Sequence, residues 1–170
     1  MIIPGSDWER RMAALWDASE DFHPRDFLSK VEELAGELPP GHAIAEFELG
    51  SANDSIGREA QAEAHYRRAL AAGLSGTRRR QAAIQLASTL RNLGRAEESI
   101  AILVAEREAR SDDLDDAVTA FLALALTEVG RDREAAALAL GALSRHLPRY
   151  NRSLSNYAEA LTRADERPWK

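Results

Sequence analysis

The sequence predicts an all-α protein, a solenoid of antiparallel helix pairs with about nine helices. Two observations carry this. First, a Gly-Arg dipeptide occurs three times, at Gly57-Arg58, Gly94-Arg95 and Gly130-Arg131, 37 and 36 residues apart. An apolar residue precedes each copy (Ile56, Leu93, Val129), and a small residue lies seven positions before each glycine (Gly50, Ala87, Ala123). Another small residue lies five positions after it (Ala62, Ser99, Ala135), preceded by Gln61, Glu98 or Glu134. A near-constant period of this length marks units that bury their apolar faces only against their neighbours. Second, the chain is rich in good helix formers. It shows neither sustained period-2 alternation nor an Asn-Gly or Asp-Gly hairpin signal.

The first helix is expected from Ser6 to about Glu20, with Ser6 and Glu9 forming a capping box. It carries Trp8, Met12, Leu15 and Trp16. Pro24 suits the first position of a second helix, where its missing N–H is not needed. That helix presents Phe27, Leu28, Val31 and Leu34, and Pro39-Pro40 stops it. Three pairs follow, at 42–56 with 58–72, 77–93 with 95–109, and 114–129 with 131–146. In each pair the glycine supplies the left-handed conformation that ends a helix, and a tight turn makes the two helices antiparallel neighbours. Between pairs, Gly73-Leu74-Ser75-Gly76 and Ser111-Asp112-Asp113 offer N-capping side chains. A last helix runs from Tyr150 to Arg163, and the tail Arg167-Pro168-Trp169-Lys170 frays. The paired small residues sit opposite one another across each turn, where helices can approach closely only if side chains are small.

This pattern resembles the tetratricopeptide repeat. The matching stretches are Leu49-Gly50, Gly57-Arg58 through Ala62, Tyr66 and Ala69-Leu70; Leu86-Ala87 and Leu93-Gly94 through Ser99; and Leu122-Ala123 and Gly130-Arg131 through Ala135, with Ala142. The segments 54–60 and 85–95 look like a compact bacterial subfamily of short stand-alone repeat proteins. The reading is one domain over 1–170. It comprises a degenerate helix pair at 6–38, repeats at 43–76, 80–113 and 116–149, and a capping helix at 150–163. Leu28 and Glu106 depart from the pattern, standing where a small residue is expected. The resemblance implies a right-handed superhelix whose first helices line a concave groove that binds a protein or peptide.

Composition narrows the function. With 45% hydrophobic residues in 170, the chain can bury a sizeable core. No run of 18 apolar residues is present, so no membrane span is expected. Nor does the start read as a signal peptide. A cytoplasmic protein is the default. Without cysteine there are no disulfides or thiolate metal sites. A net charge of −6 argues against nucleic acid. The arginines at 78–80 point in three directions on a helix and form no stripe.

No motif for chemistry emerges. The four histidines fall in different elements and lack a carboxylate-histidine pattern of the metalloprotease kind. The run Asp112-Asp113 with Asp115-Asp116 lacks the glycine and closing glutamate of a calcium loop, and reads as helix-start capping. No catalytic residue, metal or cofactor is expected. The stripe opposite the packing face of the second repeat is Gln81, Gln85, Ser88 and Asn92, with Arg91 beside it. The repeat offset adds Glu48 and Ser51 from the first repeat. These residues form the expected peptide-binding groove, in which Arg91 would hold a carboxylate by its fork of N–H groups. Phe47 and Ser51 stand where chaperone-binding members carry a basic residue and an Asn, so chaperone binding is not expected. The third repeat contributes Phe121 and Leu124 to a helix that is apolar all round, which implies burial all round. The final helix, a partner or a homodimer is expected to cover them. The alternative reading is a small-ligand sensor or enzyme with a pocket around Gln85, Arg91 and Phe121.

Overall fold

The computed structural model describes residues 4–109 and 112–163, which contain nine α-helices and no strand. They are α1 (Ser6–Asp17), α2 (Pro24–Ala35), α3 (Ala43–Ser55), α4 (Glu59–Ala71), α5 (Gly76–Asn92), α6 (Ala96–Ala109), α7 (Asp115–Glu128), α8 (Asp132–Ser144) and α9 (Asn151–Arg163), with one short 3-10 turn at Ser19–Asp21. The tail at 167–170 lies outside the described residues.

The recurrent Gly-Arg has a specific physical cause. Gly57, Gly94 and Gly130 all adopt positive φ, between 74° and 77°. In each case the glycine N–H donates to the carbonyl three residues back, and the arginine N–H to the carbonyl five residues back. These bonds are Gly57 to Asp54 (3.0 Å) with Arg58 to Asn53 (2.9 Å), Gly94 to Arg91 (2.9 Å) with Arg95 to Leu90 (2.9 Å), and Gly130 to Thr127 (3.1 Å) with Arg131 to Leu126 (2.9 Å). This is the Schellman ending, which satisfies the last carbonyls of a helix and needs a residue without a Cβ penalty. The arginine then opens the next helix. In two copies it pairs with the glutamate three residues on, Arg95 with Glu98 (2.5 Å) and Arg131 with Glu134 (2.6 Å). A fourth such ending, at Gly73, closes α4.

The chain divides into two compact units, Met1–Thr89 and Leu90–Lys170. In the first, α3 packs along α4, and α1 and α2 precede them. Ala52, Ala62, Tyr66 and Ala69 are wholly buried. Gly50 lets the Tyr66 ring lie against the α3 backbone, since a Cβ there would sit 2.8 Å from two ring carbons. The N-terminal pair is tied down by its aromatics. Trp8 Nε1 donates to the Leu34 carbonyl at 2.8 Å, and Trp16 meets Phe27 edge-on with centroids 4.9 Å apart. The capping box expected at Ser6 is not formed. Gly5 is the N-cap, and Glu9 instead accepts two bonds from Arg78, at 2.9 and 2.5 Å. Pro24 does open α2, at its first turn.

In the second unit, α7 packs between α6 and α8, and α9 packs on α8. Val118, Leu122, Ala125 and Leu126 fill the core, with Ala123 and Ala135 buried on the facing helices. Among the described residues no helix is long and apolar enough to cross a membrane.

Candidate functional site

The first unit brings the first-repeat residues into a buried polar network. Glu48 lies on α3 and is only 5% exposed. Its carboxylate accepts from Trp16 Nε1 at 2.8 Å and lies 3.4 Å from Arg78 Nε. Burial pushes this carboxyl above its ordinary range, against the pull of Trp16 and Arg78. Nearly two turns further along α3, Asp54 accepts from the hydroxyls of Tyr66 and Thr89, both at 3.4 Å. Burial raises its pKa too. Desolvation likewise raises the Tyr66 phenol strongly, while the Ser51 hydroxyl works the other way. These groups hold α1, α3, α4 and α5 together through hydrogen bonds that desolvation strengthens.

The placement of Glu48 corrects the expected groove. The repeat offset put it on an open stripe beside Ser51. Helix α1, which lies outside the repeat register, covers it and takes its acceptors. Ser51 is half-buried beside Tyr66. Gln81, Gln85 and Ser88 lie half-buried along α5, and the Gln85 carbonyl accepts the Thr89 hydroxyl at 2.8 Å. Arg78 and Arg80, neighbours of this stripe in sequence, point elsewhere. Arg78 joins the Glu9–Glu48 network and Arg80 is buried, while Arg79 is exposed.

At the C-terminal end of α5, Arg91 Nη2 donates to Asn92 Oδ1 at 2.9 Å, and Nη1 lies 3.6 Å from Glu128. Its Nε is buried without an acceptor. The guanidinium is therefore only loosely paired with Glu128. Asn92 is exposed.

Helix α7 is not covered all round. Phe121 is half-buried and Leu124 is 46% exposed. Of the covers expected for them, the final helix packs on α8.

Sequence reasoning missed three clefts. One, of about 740 Å3, lies between α2 and the α3–α4 turn and is lined by Leu28, Ile56 and Arg58. The other two, of about 410 and 430 Å3, share Arg107 on α6, Thr119 on α7 and Arg145 just past the end of α8. The acidic run at the start of α7 borders the last of these. The Asp112 carboxylate accepts from the backbone N–H of Leu114 at 2.8 Å, in a turn ahead of α7, whose N-cap Leu114 has no side-chain cap, so the expected helix-start capping is not formed. Asp116 is engaged by Arg145 and by His146 Nε2, the latter at 2.7 Å. Hydrogen bonds from both partners hold its carboxyl below the ordinary range, His146 foremost. Among the described residues, no group of three or more His, Asp or Glu is placed to hold a metal. His42 and His65 have local partners. His42 Nδ1 accepts from Ile44 N at 3.3 Å, and His65 Nδ1 meets Glu46 at 2.8 Å.

The helix pairs, their common glycine endings and the small residues at fixed register agree with the sequence comparison. The profile of the family described as Tetratrico peptide repeat matches residues 43–161. The chain belongs to the tetratricopeptide repeat family. The match begins at α3, so α1 and α2 lie before it, and it extends through most of α9. No curated protein and no solved structure matches the chain. Tetratricopeptide repeats in general bind protein partners and act as scaffolds rather than as enzymes.

Proposed function

We propose that this tetratricopeptide repeat protein is a non-enzymatic cytoplasmic scaffold that binds an extended peptide or protein segment along α5. Gln81, Gln85 and Ser88 would meet the peptide's backbone amides, and Arg91 and Asn92 a carboxylate. The observation that carries this reading is the state of Arg91. Its pair with Glu128 is loose, and it continues a stripe of uncharged hydrogen-bonding side chains. A carboxylate ligand would offer it bidentate geometry, which is shorter and stronger than a pair at 3.6 Å. Ser51 borders this surface, whereas Glu48 supports it from below. Phe121 and Leu124 give the second unit an apolar patch of its own.

The test is affinity capture from the native cell, followed by calorimetry with the captured partner. Arg91→Ala should weaken binding by about 1.5–3 kcal/mol, the range for hydrogen bonds to a charged group. Glu128→Ala should tighten it, since a competing carboxylate is removed. Equal affinity in both variants would move the binding surface away from α5.

The alternative, a small-ligand sensor or enzyme around Gln85, Arg91 and Phe121, needs titratable groups converging on a cavity. The raised carboxylates, Glu48 and Asp54, are instead each held by two hydrogen-bonding partners. That favours the scaffold.

A further inference from the structure

The arginine of the repeated Gly-Arg turn is paired in two of its three copies. Arg95 holds Glu98 and Arg131 holds Glu134, in each case the residue three positions on. The first copy breaks this pattern. Three positions after Arg58 stands Gln61, which carries no charge. Arg58 opens α4 without a side-chain capping bond, and no hydrogen bond or ion pair to a described residue engages its exposed side chain. The released arginine lines the cleft of about 740 Å3 between α2 and the α3–α4 turn. His23 and Arg25, at the start of α2, line the same cleft, and their side chains are likewise unengaged among the described residues. Other arginines of this unit behave differently. Arg11, Arg67, Arg68 and Arg78 each hold a carboxylate. On a chain of net charge −6, two unpaired guanidinium groups on one cleft set it apart.

We infer that this cleft docks a peptide segment of a protein partner, one that carries a carboxylate beside an apolar side chain. Three features select that chemistry. First, Arg25 and Arg58 offer forks of N–H donors that suit a carboxylate. The cleft lies at the start of α2, where the positive end of the helix dipole adds to the attraction. Second, the lining is partly apolar, with Leu28 buried and Ile56 half-buried. An ion without an apolar group would leave that surface in water. Third, Glu32 also lines the cleft. It repels a multiply charged phosphoryl group, and it can accept a backbone N–H, which a peptide supplies. The volume falls in the range of about 300–1,000 Å3 found for sites that hold compact ligands, which is room for a residue or two of a longer chain. The cleft shares no residue with the stripe on α5, so the inference does not depend on peptide binding there.

N-acetyl-leucine is the probe, because it joins a carboxylate, an amide N–H and a leucyl side chain. Amide shifts of the isotope-labelled full chain are followed by NMR at constant ionic strength. Residues 23–32 and 56–61 should shift and saturate, with a dissociation constant on the order of 1 mM for a ligand of roughly a dozen heavy atoms. N-acetyl-leucinamide, which lacks the charge, and acetate, which lacks the apolar group, should each bind about tenfold more weakly or worse. Arg58→Gln and Arg25→Gln should each raise the constant about tenfold, the lower end for loss of a hydrogen bond to a charged group. Gln61→Glu restores the pairing of the other two copies. It should raise the constant about twofold, as a competing partner three residues along a helix would, without lowering the thermal melt. Arg91→Ala should change nothing here, so failure at this cleft and failure on α5 are distinguishable. The inference would be overturned by shifts that do not saturate at about 50 mM, far above the expected constant. Equal binding of N-acetyl-leucinamide, or a constant that Arg58→Gln leaves unchanged, would also overturn it. Tighter binding of inorganic phosphate than of N-acetyl-leucine would overturn it in favour of a phosphoryl ligand.

Discussion

Replacing Gly50 with alanine should destabilise the protein, against the usual sign of that change. In a helix interior, alanine is ordinarily better than glycine by roughly 0.5–1 kcal/mol, because glycine loses more backbone freedom on folding. Gly50 lies within α3, so propensity alone favours Gly50→Ala. The added Cβ, however, would sit 2.8 Å from Cδ1 and Cε1 of Tyr66 and 3.3 Å from Cγ. Tyr66 is wholly buried, with its hydroxyl on Asp54. The ring cannot swing away without breaking that bond and displacing the α4 core. Overpacking of this kind costs about 1–3 kcal/mol, so the net loss should be about 1–2 kcal/mol. Urea denaturation followed by circular dichroism measures it. The background Tyr66→Ala removes the obstacle, and there Gly50→Ala should become neutral or stabilising. The coupling energy of the cycle should then be about 1–3 kcal/mol, as for side chains in direct contact. A stabilising Gly50→Ala in the wild-type background, or a cycle with no coupling, would refute the close approach of Tyr66 to α3.

Two other glycines make a matched pair. Gly130→Ala places a Cβ at φ 74° and should cost about 1–2 kcal/mol, whereas Gly141→Ala, within α8 and with nothing near its Cβ, should stabilise by about 0.5–1 kcal/mol; paired thermal melts separate the two signs. Ala123→Leu should cost about 1–3 kcal/mol at a buried register position, and Ala105→Leu, at an exposed one, much less; equal melts would place the register elsewhere. Asp54→Asn should change the pH dependence of stability. Burial raises the Asp54 pKa in the folded state, so the folded state binds its proton more tightly than the unfolded chain does. Its contribution is therefore most favourable below the unfolded value of 3.8 and is lost as pH rises through the folded value. Asp54→Asn should remove that fall, so its stability relative to wild type should grow with pH in urea titrations above pH 3.8.

Most helix boundaries were legible because the glycine endings are local. A residue at positive φ followed by Arg tells where a helix ends whatever packs on it, and the expected ends of α3, α5 and α7 fall within a residue of those observed. What was not legible depended on contacts between distant parts of the chain. Ser6 and Glu9 have the spacing of a capping box, but Arg78 outcompetes the backbone N–H for the Glu9 carboxylate. Glu48 occupies an open-stripe position by register, and only the arrival of Trp16 from a helix outside the register turns it inward. Leu124 was expected to be covered because its helix is apolar on every side. Composition shows that a face wants covering, and it does not show whether the same chain supplies the cover. The apolar stripe on α9 was legible as Tyr150, Leu154, Tyr157 and Leu161. The structure shows that its two tyrosines remain exposed while Leu154 and Leu161 are partly covered.

The buried polar network explains how the degenerate N-terminal pair stays attached to the repeats. Within the repeats, small residues let helices meet closely, and dispersion and apolar burial hold them. Helices α1 and α2 carry large side chains instead, with Leu28 buried where the pattern calls for a small one. Helix α2 packs directly on α3. Helix α1 is held by directional bonds, Trp16 to Glu48 and Glu9 to Arg78, both ending in the network beneath α3 and α5. Such bonds are strong where water is excluded, and leaving one partner unpaired is costly. Glu48 is thus the joint between the part of the chain outside the repeat register and the part inside it. Removing the Trp16 N–H, as in Trp16→Phe, keeps the ring packing on Phe27 and leaves Glu48 with Arg78 alone. That substitution should cost about 1–3 kcal/mol, the range for a buried acceptor left short of a donor. It should also loosen α1 first, seen as faster amide exchange over 6–17 than over 43–71. Uniform acceleration across both segments would mean that α1 and the repeats unfold as one unit and that the joint has no separate existence.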